Sequence, residues 1–80
     1  MKAREAVVTR LEILLQQRGI NQSQLAYDAG VHPSTVKSIM NGNSKNPGIC
    51  TIKKLCDGLD IEFTDFFQDE VFDTLEQEIS

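Results

Sequence analysis

The sequence predicts an all-α protein, a compact bundle of five short helices followed by a short acidic extension. Three observations carry that expectation. Apolar residues recur at three- and four-residue steps from near the start of the chain to its end. No stretch alternates apolar and polar residues as a half-buried strand would. Glycine, proline and asparagine fall where short helices would start or stop.

A first helix is expected over residues 3–18, where Ala3, Val7, Leu11, Leu14 and Leu15 form an apolar stripe. Gly19 stops it, and Arg18 lies at the negative end of the helix dipole. Asn21 is a favourable N-cap and Gln24 three places on resembles a capping box, so a second helix follows over about residues 22–29. Leu25, Ala26 and Ala29 line one of its faces, and Gly30 supplies the left-handed position beyond its end. Pro33 suits the first turn of a third helix, where its missing N–H has no partner to lose. That helix is placed at about Pro33–Asn41, with Val36, Ile39 and Met40 facing inward and Asn41-Gly42 closing it.

Asn43-Ser44-Lys45-Asn46-Pro47-Gly48 reads as loop. Ile52, Leu55, Cys56 and Leu59 then return to helical spacing, giving a fourth helix over about residues 49–58. Ile61, Phe63, Phe66 and Phe67 place most of the aromatic bulk on a short fifth helix. Leu25, Ala26, Val31, Val36 and Ile39 are expected to be buried between the first, fourth and fifth helices.

Composition narrows the function. Eighty residues make one domain, residues 1–67, with residues 68–80 as an acidic amphipathic tail. The chain is 40 % apolar, yet no apolar run approaches the roughly 20 residues of a membrane span. Met1-Lys2-Ala3-Arg4-Glu5 carries no apolar signal region, so the expected setting is the reducing cytoplasm, with no membrane partner. Cys50 and Cys56, on one helix, lie about 9 Å apart along it on different faces, too far to bridge. With a single histidine they make no zinc set, and no metal or cofactor is expected. Cys56 fits the apolar stripe and is expected to be buried.

The net charge of −4 conceals a division. Residues 1–55 hold eight basic side chains against three acidic ones, whereas residues 56–80 hold nine acidic and no basic ones. Such asymmetry suits an electrostatic footprint for a polyanion joined to an acidic tail. The chain contains no nucleophile–base set, no paired carboxylates in a polar loop and no phosphate-cradling glycine loop, so catalysis is not expected.

Two short helices joined by a three- or four-residue turn containing glycine have helix-turn-helix geometry. Here the resemblance becomes specific. The run Asn21-Gln22-Ser23-Gln24-Leu25-Ala26, then Gly30-Val31, Ser34-Thr35-Val36, Ile39, Asn41-Gly42 and Pro47, is similar to the Xre/Cro-type (lambda-repressor-like) family. Ile52, Leu55, Leu59 and Ile61 resemble that family's fourth and fifth helices, and the likeness covers about residues 7–67.

The resemblance implies a transcriptional regulator, in the main a repressor, whose third helix enters the major groove of double-stranded DNA. By position it implies that Gln22 reaches a phosphate and braces the third helix, and that Asn43, Ser44 and Lys45 grip the backbone. The outward positions of the third helix are His32, Pro33, Ser34, Lys37 and Ser38, with His32 standing where the family has a Ser or Thr cap. Two departures stand out. Leu15 and Met40 replace an arginine and a glutamate of the family pattern, so the two are expected to touch. No Arg, Gln or Asn lies early in the third helix for a bidentate base contact, which leaves a share of recognition to DNA shape.

The few base contacts imply a homodimer on DNA. Val71, Phe72, Leu75 and Ile79 fall at helical steps in the tail and are the expected seam. The competing arrangements are a tail folded back on its own core, with the loop near the fourth helix as the dimer contact, and a frayed end. The rival function is an antitoxin-like protein-binding module that meets its partner through the acidic tail.

Overall fold

The computed structural model describes residues 1–44 and 46–77. Among them the chain forms α1 (Ala3–Arg18), α2 (Gln22–Ala29), α3 (Pro33–Met40), α4 (Ile49–Gly58) and α5 (Phe63–Phe67), and then a 3-10 turn over Glu70–Phe72. No strand occurs among the described residues.

The punctuation is chemical. The Lys2 amide donates to Glu5 Oε1 at 2.8 Å and opens α1, and Gly19 closes it in the left-handed conformation. Asn21 Oδ1 accepts the Gln24 amide at 2.8 Å at the start of α2. The reciprocal half of the expected capping box does not form, because the Gln24 side chain donates to Asp28 Oδ1, one turn along the same face. Gly30, at φ 69°, turns the chain so that the Val31 amide reaches the Ala26 carbonyl. That turn, Gly30-Val31-His32, sets the angle between α2 and α3. Helix α3 ends at Met40, with Asn41 as its C-cap.

The buried core comprises Ala6, Val7, Leu11, Leu14 and Leu15 of α1, Leu25 and Ala26 of α2, and Val36 and Ile39 of α3. Ile52, Leu55 and Cys56 of α4, Leu59 and Phe66 complete it. Two expectations need correction. Ala3 is exposed and Ala6 takes the inward place, so the stripe of α1 starts a turn later. Val31 is only half-buried, because it sits in the turn and covers the core from one side. Leu15 is buried, and Met40 is half-buried and packs against the same apolar core. Helix α2 packs most extensively on α4 and next on α3. The α2–α4 contact is backbone to backbone at Gly58, where an added Cβ would lie 2.7 Å from the Ala29 nitrogen.

The chain after α5 corrects the expected helical tail. Residues 70–72 make a single 3-10 turn that packs on α1. Asp69 caps it through the Val71 amide. Phe72 is half-buried, its ring centroid 5.1 Å from Phe67 and 6.0 Å from Phe66, so it joins the aromatic end of its own core and is not offered as a seam. The Glu76 amide then donates to the Met1 carbonyl at 3.0 Å. Leu75 is exposed, and Ile79, the last residue of the expected stripe, lies outside the described residues.

Cys56 is buried and Cys50 exposed, both as free thiols. Burial, helped by nearby Asp57, pushes the Cys56 thiol pKa up.

Candidate nucleic-acid interface

Helix α3 has two faces with different chemistry. Val36 and Ile39 are 1 % and 2 % exposed and lock its inner side into the core. His32, Pro33, Ser34 and Lys37 are exposed, and Ser38 is half-buried. Three- and four-residue spacing brings Pro33, Ser34, Lys37 and Ser38 onto one outer surface. The backbone beneath them is rigid, so the side chains sit on a fixed platform rather than a loop.

The start of α3 is built by His32, which caps the helix through its ring. Nδ1 lies 3.1 Å from the Ser34 amide nitrogen and 2.7 Å from Ser34 Oγ. The resemblance set capping against an outward role for this residue; the geometry has Nδ1 capping while the ring stays exposed. Ser34, expected as a free outward hydroxyl, is engaged with its neighbour.

At the other end Gly42, at φ 77°, folds the loop back, and the amides of Asn43 and Ser44 both donate to the Ser38 carbonyl at 3.0 and 3.1 Å. Those two N–H groups are therefore paired within the chain and leave the side chains as the outward groups. Asn43 is exposed and Ser44 half-buried, whereas Lys45 lies outside the described residues. Gln22 occupies the first position of α2, exposed, on the helix that braces α3.

The charge footprint is smaller than the sequence count. Arg10 donates through Nε to the Phe66 carbonyl at 2.8 Å and through Nη2 to the Asp65 carbonyl at 2.9 Å, and its Nη1 meets Asp69 at 3.3 Å. Its side chain is 12 % exposed, so it binds the C-terminal segment to α1 and offers nothing to a ligand. The signal for this was present, since Arg10 stands one turn from Val7 and from Leu14 on the edge of the apolar stripe. Lys53 pairs with Asp57 one turn along α4, and that hydrogen bond raises its pKa.

Acidic groups collect elsewhere. An open cleft of about 530 Å³ is lined by Asp57, Asp60, Glu62 and Asp65 with Arg18, Lys53, Ile61 and Phe63, a lining that repels phosphate. Among the described residues no group of three or more His, Cys, Asp or Glu side chains is arranged as a metal site, and no helix is long and apolar enough to cross a membrane. Sequence reasoning also passed over two large exposed side chains, Tyr27 on α2 at 83 % and Ile49 at the start of α4 at 60 %.

The family model for the Cro/C1-type HTH DNA-binding domain matches residues 10–71, a span that includes all five helices except the first turns of α1. No curated protein and no solved structure matched the chain.

Proposed function

The chain belongs to the Cro/C1-type helix-turn-helix DNA-binding family, and from that premise we propose that it is a sequence-specific transcriptional repressor that lays α3 in the major groove. The observation that carries this reading is the outer surface of α3, polar and exposed at His32, Pro33, Ser34 and Lys37 while Val36 and Ile39 hold its other side. In this pose the N-terminal residues of α3 meet base edges. Lys37, one turn further on, meets a guanine or a nearby phosphate, and Ser38 lies beside it. Gln22 and the loop residues Asn43, Ser44 and Lys45 contact the backbone and set the register.

Two copies bind half-sites about one helical turn apart. Since Phe72 is taken up by its own aromatic cluster, the contact between copies is assigned to the loop and start of α4, where Ile49 is 60 % exposed. The acidic residues after Cys56 keep the far side of the molecule off the duplex.

A gel shift across a salt series tests the reading. Binding to a sequence selected from random duplexes should weaken steeply with salt and exceed binding to unselected DNA by 10³-fold or about that. A chain that holds no duplex at low salt, or holds every duplex equally, overturns it. The acidic cleft favours the second reading, a protein-binding module with the same fold, and failure of the gel shift would move the weight there.

A further inference from the structure

Asparagine occurs at positions 21, 41, 43 and 46, and the residue after each sets how readily its side chain cyclises onto the backbone. Asn46 precedes Pro47, whose nitrogen has no proton to give up. Asn21 holds the Gln24 amide at 2.8 Å and is followed by Gln22, whose Cβ crowds the approach. Asn43 is followed by Ser44, whose amide is tied to the Ser38 carbonyl at 3.1 Å. Asn41 is followed by glycine, and both Asn41 and Gly42 are exposed. With no Cβ on Gly42, its nitrogen can come close to the carbon of the Asn41 side-chain amide. In the folded chain that nitrogen donates to the Ile39 carbonyl at 3.1 Å, at the last turn of α3. Local opening costs least at element ends, so this bond slows the reaction without abolishing it.

We propose that Asn41-Gly42 is a site of spontaneous deamidation that retires the unbound protein from DNA binding. The Gly42 nitrogen attacks Asn41 Cγ: the N–Cγ bond forms, the Cγ–Nδ2 bond breaks, and ammonia leaves with the Gly42 amide proton. Water then opens the cyclic imide at either carbonyl and gives aspartate or isoaspartate, with no change of oxidation state. Either product puts a carboxylate at the C-cap of α3, against the negative end of the helix dipole. It also lies beside the loop that the proposed pose lays along phosphates, which repel it. Isoaspartate in addition carries the main chain through one more methylene. That displaces the amides of Gly42, Asn43 and Ser44, which close α3 on the Ile39 and Ser38 carbonyls. The loss of binding rests on the proposed function, whereas the covalent step does not. A duplex that clamps the loop opposes its opening, so bound copies age more slowly than free ones.

The test ages the full chain at mildly alkaline pH, where the Gly42 amide ionises more readily, and follows it by peptide mapping and enzymatic methylation of isoaspartate. Isoaspartate should accumulate at Asn41, faster at higher pH, and not in Asn41→Gln, whose longer side chain cyclises slowly. The aged fraction, separated by its added negative charge, should bind the selected duplex about tenfold more weakly than fresh protein. Asn41→Asp, which has the charge without the longer main chain, should show part of that loss. The selected duplex, present during ageing, should slow the reaction; an unchanged rate overturns the protection of bound copies. A chain that keeps its amide at Asn41, or that modifies Asn21 or Asn43 as readily, overturns the site. An isoaspartyl fraction that binds as tightly as fresh protein overturns its effect. Fresh protein that binds no duplex overturns the groove placement and this consequence with it, and is told apart because isoaspartate is measured without DNA.

Discussion

The joint of α2, α3 and α4 and the arm that follows α5 are held by different forces. In the joint, Leu25, Ala26, Val36 and Ile39 are at most 2 % exposed, and Gly58 lets two backbones meet. The arm hangs on Arg10, whose guanidinium spans two carbonyls and Asp69, and on the half-buried ring of Phe72. Close-packed apolar contacts have little give, so the joint sets the attitude of α3. Polar contacts at the surface compete with water and are weaker in net terms, so the arm closes the core without steering the reading surface.

The strongest way to break this contrast is Leu25→Ala. The side chain is fully buried, so the loss should be about 2–5 kcal/mol and lower the melting temperature by roughly 10 °C or more. A variant as thermostable as the parent would remove α2 from the core.

Met40→Glu probes the same joint from its half-buried edge. A carboxylate without a partner at this half-buried edge of the core should cost about 1–3 kcal/mol, and Leu15→Arg added to it should return part of that if the two positions touch. Additive changes in the double-mutant cycle would show that the two positions do not touch.

Arg10→Ala acts on the arm alone. It should cost about 1–2 kcal/mol and speed amide exchange around residues 69–76, with DNA affinity and its salt dependence unchanged. A shallower salt slope would instead put Arg10 on a phosphate.

The smallest effect concerns the thiols. Burial raises the Cys56 pKa, so its contribution to stability is full below the ordinary thiol range and is lost as pH rises through the raised native value. Cys56→Val should unfold less readily than the parent in mild alkali, while exposed Cys50 is the thiol labelled in the native state. Equal labelling of both cysteines at neutral pH would contradict the buried position of Cys56.

Much of this was legible in the chain. The stripe Val7, Leu11, Leu14 and Leu15, the cap at Asn21, the turn at Gly30 and the start at Pro33 are local signals, each read within four or five residues. The candidate surface on α3 followed from the same periodicity, because positions that do not face the core must face out. What failed was pairing at a distance or rivalry between neighbours. Gln24 had both Asn21 and Asp28 within reach, and spacing alone does not choose between them.

The sequence by itself determined the helices, their ends, the apolar faces and the family, since backbone hydrogen bonding and side-chain period act over one or two turns. Only the tertiary structure decided that Arg10 serves Asp65, Phe66 and Asp69, more than fifty positions away, and leaves the charge footprint. Only it decided that Phe72 turns inward and that the His32 ring caps α3 at Ser34. Those outcomes depend on which elements meet, and a carboxylate, a carbonyl or a ring face becomes a partner only after packing has brought it within hydrogen-bonding or van der Waals range.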